Sequence, residues 1–227
     1  MGDARETTAS EEERRLPKVL PGIFPGPPSW RTVFGREAPL EAELGFGRPH
    51  FLFERASEAP ERDIVGIEWK ARHVDAANRK KKREGVTNVC AVHGNAWLLF
   101  GAFFAEESLS SVFLNFPYPW WKSRHRKRRI VSDTFARLLA SRLVPGGMLL
   151  IQTDVASLLE EYLERLESEP SLENPYGPGR LCTDKPTQAR SHREKKCREA
   201  GIPIFRGLVV KRATLDRGRA TGQESVG

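Results

Sequence analysis

Along residues 31–212, short apolar stretches alternate with longer segments whose apolar positions recur every three or four residues. The stretches at 41–46, 63–68, 86–92, 111–116 and 148–153 read as strands, the first of them ending in glycines. Between them, residues 70–84 read as a basic helix. Residues 127–143 place Ile130, Val131, Phe135, Leu138 and Leu139 near a 3.6 period, and the pattern stops at Pro145-Gly146-Gly147. A further amphipathic helix is expected over 155–166. Residues 168–187 form a Pro/Gly-rich connection, and 202–211 read as one strand or a bent pair. Trp97 and the stripe Phe100, Phe103 and Phe104 read as core. This alternation predicts an α/β fold, an open and mostly parallel sheet with helices on both faces. No internal repeat interrupts it.

The ends break the pattern. Residues 7–15 are polar and charged, and five of the sixteen prolines stand at 17, 21, 25, 27 and 28. Such a segment forms neither a regular helix nor a central strand. Residues 1–30 are therefore expected to be an extended or disordered tail, 31–212 the folded domain, and 213–227 a second disordered tail. Trp30 and Phe34 are expected to anchor the start of the domain. The longest apolar run, 96–105, covers ten positions, whereas a membrane-spanning helix needs about 20. With no secretory signal pattern at the start, the expectation is a soluble cytoplasmic protein. Cys90, Cys182 and Cys197 show neither a CxxC pair nor a disulfide framework. His50, His73, His93, His125 and His192 lack metal-ligand spacing, so no metal is expected.

Charge narrows the choice of partner. Of 227 residues, 37 are Lys or Arg and 30 are Asp or Glu, leaving +7 and a pI near 9.5. The excess sits in three blocks: 79–83, 122–129 and 190–198. Collagen, coiled coil and a wholly disordered chain are excluded, and a polyanionic partner, nucleic acid, becomes the expectation.

Candidate chemistry begins at the first strand, which closes as Glu43-Leu-Gly45-Phe-Gly47. Glycines there let backbone approach a ligand closely. The second strand ends in Glu68, 21 residues after Gly47, a spacing at which an acid can bind ribose hydroxyls. With Glu43 in front, this set resembles the S-adenosylmethionine pocket of class I methyltransferases. That family's GxGxG reads Gly45-Phe-Gly47-Arg-Pro49 here, with a helix expected to begin near Pro49.

The segment Phe116-Pro-Tyr-Pro-Trp-Trp-Lys-Ser-Arg-His-Arg-Lys-Arg-Arg129 is more specific. It resembles the bacterial tRNA (guanine-N7)-methyltransferases, whose signature is close to FPDPWxKxRHxKRR. Matches at Gly66-Ile-Glu68, Asn88-Val89, Pro145-Gly-Gly147 and Thr153-Asp154 extend the likeness over about residues 34 to 212. The resemblance implies methyl transfer from S-adenosylmethionine to N7 of the variable-loop guanosine of tRNA. It assigns cofactor contacts to Glu43, Gly45, Gly47, Glu68, Asn95 and Ala96, with Glu68 at the ribose and Asn95 near the adenine. It assigns substrate contacts to Lys122, Arg124, His125, Arg126, Lys127, Arg128, Arg129, Asp154, Thr187 and Arg190.

Two departures stand out. The family's FPDPW acid, its proposed catalytic carboxylate, is Tyr118 here, and its late T-x-x-E reads Thr187-Gln-Ala-Arg190. Asp154 and Glu194 are the acids left to compensate. Two competing readings follow from these losses. One is a non-catalytic RNA-binding relative, the other a methyltransferase with a shifted RNA substrate or target atom. Monomer and homodimer both remain open.

Overall fold

The computed structural model describes residues 26–121, 124–125 and 129–213. Both tips of the chain and part of the basic run therefore lie outside the described residues. Ser29 caps a short helix, α1 (Trp30–Phe34), by accepting a hydrogen bond from Thr32 N. Trp30 then fixes the start of the domain, as its pattern predicts. Its indole Nε1 donates to Phe103 O at 3.0 Å and its ring stacks on Phe104.

The sheet contains seven strands: β1 (Leu40–Leu44), β2 (Asp63–Glu68), β3 (Val89–His93), β4 (Leu109–Asn115), β5 (Leu143–Thr153), β6 (Leu172–Glu173) and β7 (Phe205–Lys211). Their order is β3-β2-β1-β4-β5-β7-β6. The first five run parallel, while β7 is antiparallel to both β5 and β6. Every residue of β1 and β2 is buried, as expected for strands covered on both faces. Successive side chains alternate between two cores. Val112 and Leu114 face one core with Phe100, Phe135 and Tyr162. Phe113 faces the other with Phe51, Leu52 and Val74.

The connections are α2 (His50–Glu58), α3 (Ala71–Glu84), α4 (Ala96–Phe103), α5 (Asp133–Arg142), α6 (Ala156–Glu167) and α7 (His192–Glu199). Several differ from the sequence expectation. The run at 96–105 is mostly helix α4, started by Asn95, whose side chain accepts from Trp97 N and Leu98 N. Pro49 is the N-cap of α2 rather than its first helical residue. The Pro-Gly-Gly segment does not separate α5 from β5. It is a bulge within β5, where the pairing steps from Leu109↔Leu143 to Ser111↔Met148. A Cβ on Gly147 would meet Val144 O at 2.8 Å and Leu109 O at 2.9 Å, so only glycine fits there.

Topology also sorts the basic blocks. The chain leaves β2, runs down α3 and re-enters at the start of β3, so residues 79–83 lie at the amino ends of the strands. Lys81, Lys82 and Arg83 fall in the last turn of α3, with Gly85 in the left-handed conformation behind them. Cations there complement the helix dipole, and the block has a structural explanation. The other two blocks follow the carboxyl end of β4 and precede β7, whose first residue pairs with Thr153.

Candidate active site

From β1 the chain builds outward to β3 in one direction, then crosses back to add β4 on the other side. The switch point lies between the carboxyl ends of β1 and β4, where open α/β sheets hold ligands. A cleft of about 340 Å³ opens there, lined by Gly45, Gly47, Glu68, Lys70, His73, Ala96, Phe116, Tyr118, Trp120 and their neighbours. That volume suits a small-molecule site. Of the residues expected at the cofactor, Gly45, Gly47, Glu68 and Ala96 line it.

Glu68 ties two loops together. Its Oε2 accepts from Gly47 N at 2.9 Å and its Oε1 from Lys70 N at 2.8 Å. Each oxygen keeps a second lone pair for a ligand hydroxyl. Gly45 and Gly47 have φ of 74° and 56°, and a Cβ at either would meet nothing within 4 Å. The left-handed backbone requires glycine there, and the space beside it stays open to a ligand.

Glu43 lies behind this loop, fully buried. Its Oε1 accepts from Asn115 Nδ2 at 2.8 Å, and its Oε2 has no hydrogen-bond partner in the protein. Burial pushes its carboxyl up to about 8, with the Asn115 bond opposing the shift and the Glu68 charge adding to it. Asn115 begins a buried polar chain across the sheet. Gln152 Nε2 donates to Asn115 Oδ1 at 2.6 Å, and Arg206 Nε donates to Gln152 Oε1 at 2.8 Å. Glu194 ends the chain, fully buried between Lys185 Nζ at 2.8 Å and Arg206 Nη2 at 3.2 Å. Nothing in the sequence periodicity marks Asn115, Gln152 or Arg206 as partners. They meet because β4, β5 and β7 are neighbours.

Several residues expected to touch cofactor or substrate have partners within the protein instead. Asn95 has its side-chain oxygen committed to capping α4, and it does not line the cleft. Arg129, expected at phosphate, turns inward. Its side chain is 10% exposed, pairs with Glu161 and donates to Pro119 O at 3.0 Å. Asp154 pairs with Arg193. Glu194, an acid left to compensate, is already paired with three cations, Lys185, Arg206 and Arg198. Thr187 is buried and donates its hydroxyl to Glu58, while Gln188 N donates to Glu58 Oε1 at 2.7 Å. Arg190 is fixed through its backbone N–H, which donates to Glu54 Oε2 at 2.8 Å, and its side chain is exposed. Glu54 and Glu58, one helical turn apart on α2, thus latch a strap at 187–190. Arg124 and His125 are described, Arg124 exposed, whereas Lys122, Arg126, Lys127 and Arg128 lie outside the described residues.

Sequence reasoning missed Lys70 and His73 in the cleft, which the acid just before them signals. It also missed the exposed Trp69. Another missed signal is Ser191-His-Arg-Glu194, a capping spacing, in which Ser191 Oγ accepts from Glu194 N. Beside it, Arg48 Nη1 donates to His192 Nε2 at 2.9 Å, and the His192 and His50 rings lie 5.0 Å apart. Burial first, then neighbouring cations, lowers the pKa of both imidazoles. Among the described residues no group of three or more His, Cys, Asp or Glu forms a metal site. No helix there is long and apolar enough to cross a membrane.

Comparison with known proteins gives a consistent result. A family model described as "Putative methyltransferase" matches residues 37–207. A tRNA (guanine-N(7)-)-methyltransferase of Myxococcus xanthus is 33% identical over 82% of this chain and 90% of its own length. One from Anaeromyxobacter dehalogenans is 39% identical over 81% of this chain and 92% of its own. Among solved structures, the 16S rRNA methyltransferase KamB superposes with a TM-score of 0.58 at 11% identity, over 81% of this chain and 92% of that one. The last similarity concerns the fold alone.

Proposed function

The chain belongs to this methyltransferase family, and from that membership we propose that it methylates N7 of the variable-loop guanosine of tRNA, using S-adenosylmethionine. The observation that carries the reading is Glu68, held by two backbone N–H groups at the switch point with lone pairs left for ribose hydroxyls. The site fits the cofactor in two further respects. Glu43 presents a buried Oε2 without a protein partner, suited to an ammonium group, and the Gly45–Gly47 turn leaves room beside the backbone. When bound, S-adenosylmethionine supplies an electrophilic methyl group on a sulfonium.

Guanine N7 carries a lone pair and no proton, so the chain needs no general base to prepare it. Its residues act by binding, orienting and shielding the reactants. Glu43, Gly45, Gly47, Glu68 and Ala96 form the cofactor side. Asn95 is adjacent, its capping oxygen occupied and its amide nitrogen left to donate. Tyr118, Phe116 and Trp120 form the facing wall. Lys122, Arg124, His125, Arg126, Lys127 and Arg128 supply positive charge for phosphates, which fix register on a nucleic acid through charge pairing. The family's late T-x-x-E is read at Ser191–Glu194 in preference to Thr187–Arg190. There the hydroxyl caps the glutamate's own N–H, and the glutamate is tied to the buried chain that begins at Glu43. Thr187 and Arg190 belong to the strap that leads into that motif.

Transfer of labelled methyl to tRNA lacking N7-methylguanosine, followed by chemical mapping, tests the reaction. Label at the variable-loop guanine is the expected result. Glu68→Ala should weaken S-adenosylmethionine binding on calorimetry by about tenfold or more, since charge-assisted hydrogen bonds are lost. Unchanged affinity in the folded variant would remove Glu68 from the cofactor site.

A further inference from the structure

The purine becomes a cation as N7 accepts the methyl group, yet among the described residues no carboxylate is free to face it. Glu68 is the only acid among the described residues lining the cleft, and both its oxygens already accept backbone hydrogen bonds on the cofactor side. Asp154 is paired with Arg193, and Glu194 is enclosed by Lys185 and Arg206. Glu43 is buried behind the glycine turn and does not line the cleft. Lys70 and His73 also line the cleft and add no negative charge.

The facing wall is aromatic instead. Phe116, Tyr118 and Trp120 line it together. The Tyr118 and Trp120 rings meet edge-on, centroids 4.9 Å apart at 69°. Trp120 in turn meets the His125 ring at 88°. Tyr118 is 66% exposed, so its face is available to an incoming base. The segment is also tied to its neighbours. Phe116 N donates to Gln152 O at 2.7 Å, and Pro119 O accepts from Arg129. Prolines flank Tyr118, and both Phe116 and Trp120 take positive φ, 51° and 47°, a strained conformation for aromatic residues. Strain of this kind persists only where surrounding contacts enforce it.

We propose that this aromatic corner, Tyr118 against Trp120, replaces the missing carboxylate by holding the methylated purine cation against its π faces. The inference rests on the guanine-N7 reading above. In the step itself, the N7 lone pair forms the new N–C bond while the S–C bond breaks and its electron pair remains on sulfur. Positive charge therefore moves from the sulfonium to the purine, and no proton is transferred. An aromatic face attracts that charge through its quadrupole, and the attraction grows as the charge develops. It favours the transition state over the neutral base, as a catalytic contact must. Tyr118 is thus a residue that touches the reacting base, and its hydroxyl is dispensable for this role.

The test compares two ligands of the same shape and different charge. One is N7-methylguanosine monophosphate. The other is its neutral isostere with carbon in place of N7, the 7-methyl-7-deaza compound. Each is titrated into the full chain by calorimetry. Wild type should prefer the cation by about tenfold, the scale of a partly desolvated cation–π contact. Tyr118→Phe should keep the preference and Tyr118→Leu should lose most of it, with circular dichroism confirming that both variants are folded. Equal affinities in wild type, no binding of either ligand, or a preference unchanged in Tyr118→Leu would overturn the proposal. Mapping of the methylated atom reports separately on the underlying reaction. Label at guanine N7 with no charge preference would sink the aromatic corner alone, while label at another atom would sink the reaction and the corner together.

Discussion

At the scale of single residues, the most consequential environment is that of Glu43. Its pKa, about 8 against an ordinary 4.5, means that folding takes up a proton there between those values. The stability tied to the neutral carboxyl is fully present below about pH 4.5 and is lost as pH rises through about 8. Glu43→Gln removes that titration. Thermal melts from pH 5 to 9 should show wild type losing stability relative to the variant as pH rises, and parallel profiles would contradict the assignment. Arg129 carries the opposite lesson. The sequence reads it as one more cation of a phosphate-gripping run, but its contacts with Glu161 and Pro119 O make it a support for the aromatic segment. Nothing in the local sequence separates it from Arg124, because the partner that recruits it lies on α6.

At the scale of elements, hydrophobic periodicity located β2 and placed the other four parallel strands within a few residues. It also found most of α3 and α6. It failed where apolar density hid the period, as in α4, and where a helix had almost no apolar face, as in α7, whose buried residues are Glu194 and Cys197. The latch between α2 and the 187–190 strap was equally invisible, since it joins residues 129 to 136 positions apart. It can be tested directly. Glu58→Ala removes the acceptor for Gln188 N and Thr187, and the amides of the strap should exchange with solvent about tenfold faster or more. Burial opposes the change, but the hydrogen bonds and nearby cations still lower the pKa of Glu54 and Glu58. Their contribution is therefore present at neutral pH and lost as pH falls through the carboxylate range. Exchange rates unchanged at neutral pH would show the strap is held by other contacts.

At the scale of the whole molecule, the described residues of the 122–129 and 190–198 blocks lie toward the cleft end of the sheet, and those of 79–83 at the other end. A tRNA bound at the cleft end should release counterions from the 122–129 run and not from 79–83. Arg124→Ala with Arg126→Ala should lower the salt slope of tRNA binding by about two, one per phosphate contact. Lys82→Ala with Arg83→Ala should leave it unchanged, and the reverse pattern would place the RNA on the opposite end. The sequence by itself determined the α/β class, the glycine turn, the acid at the end of β2 and the family signature, because these depend on local periodicity and on short spacings within one loop. Only the tertiary structure decided which cations face solvent and which carboxylates already have partners. It alone decided that Tyr118 and Trp120 form a corner over the cleft. Those properties depend on which side chains meet across the sheet, and strand order brings together residues that no local pattern connects.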